Sequence, residues 1–95
     1  MNMSDHNLAD RYEAAIARCD AVMTEIYGMA EHEGEGFSDV CARLGTKHPT
    51  VSAFHTLARG KRAIEEECRR RLGDGVIHMH FASTLRSLAS ARKHG

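Results

Sequence analysis

Seven histidines and three cysteines are the residues of this 95-residue chain that could ligate a metal or act as nucleophiles. Their spacing argues against both. His78 and His80 stand two residues apart, which on a helix points the rings in different directions, and no neighbouring cysteine or carboxylate pattern completes a site. Cys19, Cys41 and Cys68 are an odd, widely spaced set with no C-x-x-C pair, so neither a disulfide framework nor a zinc knuckle is indicated. They read as small reduced core residues of a cytoplasmic protein. There is no glycine-rich phosphate loop, no nucleophile–base pair and no carboxylate pair with a reaction to serve. His55, beside Phe54, reads as a partly buried polar residue. The expectation is no metal, no cofactor and no enzymatic activity. Glu65-Glu66-Glu67 and Arg69-Arg70-Arg71 match charges at i,i+3 and i,i+4, the pattern of a self-stabilising solvated helix face.

What remains is a run of hydroxyls and bases in the middle of the chain. The whole sequence is neutral, with 13 basic and 13 acidic residues, but the charge is unevenly placed. Residues 1–37 hold eight acids against Arg11 and Arg18, a net −6. Residues 38–63 hold Arg43, Lys47, Arg59, Lys61 and Arg62 against Asp39 alone, a net +4. Residues 64–95 return to +2. An acidic first third beside a basic middle can mark a partner-facing surface.

The elements that must position these residues are helices. Five aromatics and no tryptophan leave a core of Leu, Ile, Val, Met and Ala, which suits helices better than a β-sandwich. Leu8, Tyr12, Ile16, Cys19, Met23, Ile26 and Ala30 recur every three or four residues and predict one amphipathic helix over 7–31, capped by Ser4 or Asn7. Its stripe is long enough to suggest packing against a second copy of the chain, although later helices of the same chain are equally able to cover it. Ser38 is a natural N-cap for a short helix through Val40, Cys41 and Leu44, ended by Gly45 in a left-handed conformation. Pro49 suits the first turn of the next helix, which carries Val51, Phe54 and Ala58. Further helices are expected over 61–72 and 76–92, with Gly60 interrupting or loosening the chain and Asp74 as a cap. Val76 to Phe81 also alternates, so a short strand there is the competing assignment. The expected architecture is all-α, one domain of four to five helices around a central helix-turn-helix at 37–59.

The stretch from Phe37 to Thr56 carries the functional inference. Two helices crossing steeply need a small residue at the close approach, a glycine at the turn and apolar residues sealing the crossing. Cys41, Gly45 and the set Val40, Leu44, Val51 and Phe54 fill those roles, with Thr46 partly buried among them. This spacing resembles the helix-turn-helix of bacterial and phage DNA-binding proteins over about twenty residues. The run Gly45 to Arg62 looks like the C-terminal helix-turn-helix of sigma factors. His48-Pro49-Thr50-Val51 is similar to the DNA-binding domain of bacterial replication initiators, related to the tryptophan repressor. Cys41 stands where alanine is usual, and Lys47 where a Ser or Thr cap is usual.

The resemblance implies that the second helix lies in the major groove of double-stranded DNA. Carried over by position, Lys47, His48, Ser52, Ala53 and Thr56 would face base edges, and Thr50 would reach a phosphate. Arg59, Lys61 and Arg62, with Arg43 on the supporting helix, would neutralise phosphates. It further implies a transcription regulator acting as a homodimer, helix one being the favoured dimer surface. The alternative is an interaction adaptor of the same shape that binds RNA polymerase or another regulatory protein. No apolar run reaches the roughly 18 residues of a membrane span, and no secretion signal is evident, so a cytoplasmic location is expected.

Overall fold

The first helix starts where the sequence supplies a cap. Ser4 Oγ accepts the Asn7 backbone N–H at 3.1 Å, and α1 runs from Asp5 to Tyr27. The structure is a computed structural model that describes residues 3–94, with no strand among them. The helix ends four residues earlier than the stripe predicts. Gly28 is a weak helix former, and the following Glu31, Glu33 and Glu35 would crowd negative charge at a helix C-terminus that has no base in its last turn. Residues 28–36 form a loop instead. It is gathered by Glu35, whose carboxylate accepts the Glu31 N–H at 3.0 Å.

A short helix, α2, spans Phe37–Leu44. Gly36, rather than Ser38, occupies its N-cap position, and Asp39 Oδ2 reaches back to accept the Gly36 N–H at 3.1 Å. Ser38 lies inside the first turn because Asp39 supplies the polar partner that a serine cap would have provided. Gly45 ends α2 with φ 87° and ψ 157°. This is a positive-φ extended conformation rather than the left-handed helical one, and it is essentially reserved for glycine.

The next helix, α3, runs from Pro49 to Leu72 without a break. Its 24 residues reach about 36 Å at about 1.5 Å each. The expected division at Gly60, between a helix-turn-helix over 37–59 and a separate helix over 61–72, is therefore corrected. Gly60 is exposed in open space, and its weak propensity of about 1 kcal/mol is offset by contacts along α1. His48 caps α3 by accepting the Thr50 N–H on Nδ1 at 3.2 Å. Gly73, with φ 80°, closes it.

Neither sequence assignment for the last segment survives intact. Asp74 sits exposed in a turn and caps nothing. A single 3-10 turn, η1, covers His78–His80, and α4 runs over Phe81–His94 rather than 76–92. The alternating Val76–Phe81 run has no partner strand to pair with, and an isolated strand is not stable.

α1 and α3 lie antiparallel, as the pairing of Asp5 with Arg71 near one end and of Ile26 with Val51 at the other requires. The apolar stripe of α1 is shared between two clusters. Leu8, Ala9 and Tyr12 meet Cys68 of α3 and Phe81 and Leu85 of α4, with the Tyr12 and Phe81 rings 5.5 Å apart. At the other end Ile26 meets Val40 of α2 and Val51 of α3. The chain's own later helices thus cover the stripe over a long, narrow body of 55 × 26 × 20 Å.

Candidate nucleic-acid interface

The unit formed by α2, the turn at Gly45–His48 and α3 is held by a small apolar seal. Val40 and Val51 are 0 % and 1 % exposed, and half-buried Cys41, Leu44 and Phe54 pack around them. Thr46, expected in this seal, is exposed. Phe37 also packs on the seal, its ring meeting Phe54 edge-on at 4.9 Å and Tyr27 at 5.5 Å. The turn is tightened by the Gly45 N–H donating to the Cys41 carbonyl at 3.0 Å and the His48 N–H donating to the Gly45 carbonyl at 3.1 Å.

With Val51 and Phe54 turned inward, the helical period turns Ser52, Thr56 and Arg59 outward. These three, with Ala53 and Arg62, are exposed along α3, and Lys47 is exposed on the turn before it. Lys47, Arg59 and Arg62 have no carboxylate within 4 Å among the described residues. The Thr56 hydroxyl donates to the Ser52 carbonyl at 3.2 Å, so its oxygen is left to accept. His48 and Thr50 are half-buried at the helix start. Because His48 Nδ1 accepts the Thr50 N–H, its proton sits on Nε2.

Two of the expected phosphate-binding bases are directed elsewhere. Arg43 faces the loop between α1 and α2, with Nε 2.8 Å from Glu35 Oε1, Nη2 donating to the Met29 carbonyl at 2.7 Å, and Nη1 3.3 Å from Glu31. The hydrogen bond from Arg43 outweighs partial burial, and with the Glu31 and His32 amides it holds the Glu35 carboxyl down at about 2. Arg43 is correspondingly pushed up. Lys61 is half-buried, 3.6 Å from Glu65 on its own helix. Together with Arg62 it lines a cleft of about 190 Å³ against Cys19, Asp20 and Met23 of α1, a cleft that Ser52 and Thr56 do not line.

His55, expected to be partly buried, is exposed. It stands three residues after Ser52 and four before Arg59, a helical spacing visible in the sequence because all three precede Gly60. The Arg43–Glu35 pairing left no such signal, because it joins residues across a loop. Among the described residues no group of three or more His, Cys, Asp or Glu side chains could hold a metal ion. No described helix is long and apolar enough to cross a membrane. In comparisons with known proteins, no family model, no curated protein and no solved structure matches the chain.

Proposed function

We propose that this chain is a helix-turn-helix DNA-binding regulator whose α3 enters the major groove by its N-terminal half. The observation that supports this most is the joint outward presentation of Ser52, Ala53, Thr56 and Arg59 on a helix anchored by Val51 and Phe54. Ser52 and Thr56 offer hydroxyls to base edges, and Ala53 offers a methyl group to a thymine. Lys47 on the turn and Arg59 and Arg62 further along α3 neutralise phosphates. Arg43 serves instead as a positioning residue, tying the loop before α2 to α2 itself. One such helix reads only about four or five base pairs, so the active form is a homodimer. The stripe of α1 is already covered within the chain, and the outer sides of α1 and α4 are the surfaces left for that contact.

Gel retardation on a random duplex at low and at moderate salt tests the proposal. Weak retardation that fades with salt is expected. Ser52→Ala or Thr56→Ala should change sequence preference, whereas Arg59→Ala should weaken all sequences alike. Absence of retardation even at low salt contradicts the proposal.

One observation favours a second reading. With Arg43 and Lys61 paired internally, few bases remain for a polyanion. An adaptor that offers the same face of α3 to RNA polymerase or another regulatory protein needs no phosphate contacts. It would give no retardation, and Arg59→Ala would weaken binding to that protein instead.

A further inference from the structure

His55 lies on one flank of α3 with Arg59 four residues on and Arg62 seven residues on, and all three are exposed. That spacing stacks their side chains along the helix. The His55 ring meets Phe54 edge-on, with centroids 5.9 Å apart, and Phe54 is held against Phe37. One side of the imidazole is therefore braced by the apolar seal while the side chain remains open to solvent.

The charged and titratable groups around this stretch can be named element by element. On α3 they are Arg59, Lys61, Arg62, Glu65 and Glu66, of which Lys61 pairs with Glu65 and both share a cleft with Arg62 and with Asp20 of α1; on the preceding turn, Lys47 and His48. On α2, Asp39 is bound to the Gly36 amide, Arg43 is bound to Glu35 and Glu31, and Cys41 faces the seal. At the end of α1 are Glu25 and Tyr27, the latter packed on Phe37. The one histidine–carboxylate pair among the described residues is His6 with Asp10, so no acid pairs with His55 in the free protein.

Imidazole is the side chain that changes charge between about pH 5 and 8. Resting on the DNA-binding function proposed above, we infer that His55 is a further phosphate contact and that DNA binding takes up a proton there. A phosphate oxygen brought to this flank is the anionic partner that His55 lacks. The ring gains a proton from solvent, becomes a cation and donates an N–H to that oxygen, a charge-assisted bond. The sign follows directly: affinity gained at His55 is present on the acid side of the histidine range and is lost as pH rises through it.

The test is fluorescence anisotropy with a random-sequence duplex at fixed low salt, comparing wild type, His55→Gln and His55→Lys. Wild type should bind about three- to tenfold tighter at about pH 6 than at about pH 8. His55→Gln should bind the duplex with that ratio reduced to about twofold or less, and His55→Lys should match the acid-side wild type at both values. A His55→Gln variant that keeps the wild-type ratio overturns the inference, as does salt-sensitive wild-type binding that ignores pH. If the wild type binds no duplex at either pH, DNA binding itself is contradicted and the inference falls with it.

Discussion

The two ends of α3 use the same residue types in opposite ways. Toward its C-terminus, bases are committed within the chain, Arg69 over the Phe81 ring at 5.8 Å and the others to carboxylates. Arg71 spans Asp5 at 3.0 Å and Glu67 at 2.8 Å, Arg70 pairs with Glu67, and Arg86 of α4 bridges Asp10 and Glu13 of α1. Asp5 is only 3 % exposed. Its Oδ1 accepts from Arg71, and Arg92 approaches Oδ2 at 2.6 Å, out of line for a hydrogen bond. From the turn before α3 to its middle, Lys47, Arg59 and Arg62 have no carboxylate partner among the described residues, and the hydroxyls of Ser52 and Thr56 are exposed. One end is closed on itself electrostatically and the other is open. A net +4 over residues 38–63 therefore overstates the positive charge on offer, since Arg43 and Lys61 are neutralised where they stand. Location of a base relative to its nearest acid, rather than the tally of bases, decides what it is available to do.

Core truncations should separate the two ends most strongly. Leu85→Ala, at a fully buried site of the closed end, should lower unfolding free energy by about 2–5 kcal/mol. Below its melting transition it should leave duplex affinity near wild type. Val51→Ala, in the seal that seats α3 on α2, should lower it by about 2 kcal/mol and also weaken duplex binding. Calorimetry and anisotropy on both variants check this. Equal loss of binding from the two folded variants would erase the distinction between the ends.

Acid should act on a narrower feature. The Glu35 carboxyl is held at about 2, against an ordinary 4.5, first by its hydrogen bond from Arg43. A depressed carboxyl contributes stability above its unfolded value and loses it as pH falls through the folded one, so the window runs from 4.5 down to about 2. Amide chemical shifts of Glu31 and His32, whose N–H groups donate to Glu35, should move within that window. In Glu35→Gln they should not. Unchanged wild-type shifts across the window would mean that the Arg43-bound Glu35 carboxylate does not hold this loop.

A smaller effect is expected at Gly60, where a Cβ would meet nothing within 4 Å. Gly60→Ala should raise stability by about 0.5–1 kcal/mol, seen as a higher melting temperature. A loss of stability would mean that α3 is strained at the junction between its two halves.

Much of the fold was legible in the residues. The three- and four-residue period of Leu8 to Ile26 marks α1, and Gly45 with Pro49 marks the turn between α2 and α3. The illegible parts depend on partners distant in sequence or on competition between neighbours. Ser38 is the better cap by type, yet Asp39 reaching back to Gly36 starts α2 two residues earlier. Gly60 suggests a break that the packing of Ile64 and Cys68 along α1 overrides. Of the proposed contact residues, Ser52, Ala53, Thr56 and Arg59 follow from helical period alone. The diversion of Arg43 to Glu35 across a loop required the tertiary arrangement.

Salt dependence of duplex binding tests the central proposal most directly. Wild-type affinity should fall linearly on a log–log plot against salt, and Arg59→Ala and Arg62→Ala should each make the slope shallower by about 1. No binding at low salt, or both variants retaining the wild-type slope, would contradict an open, phosphate-binding end of α3.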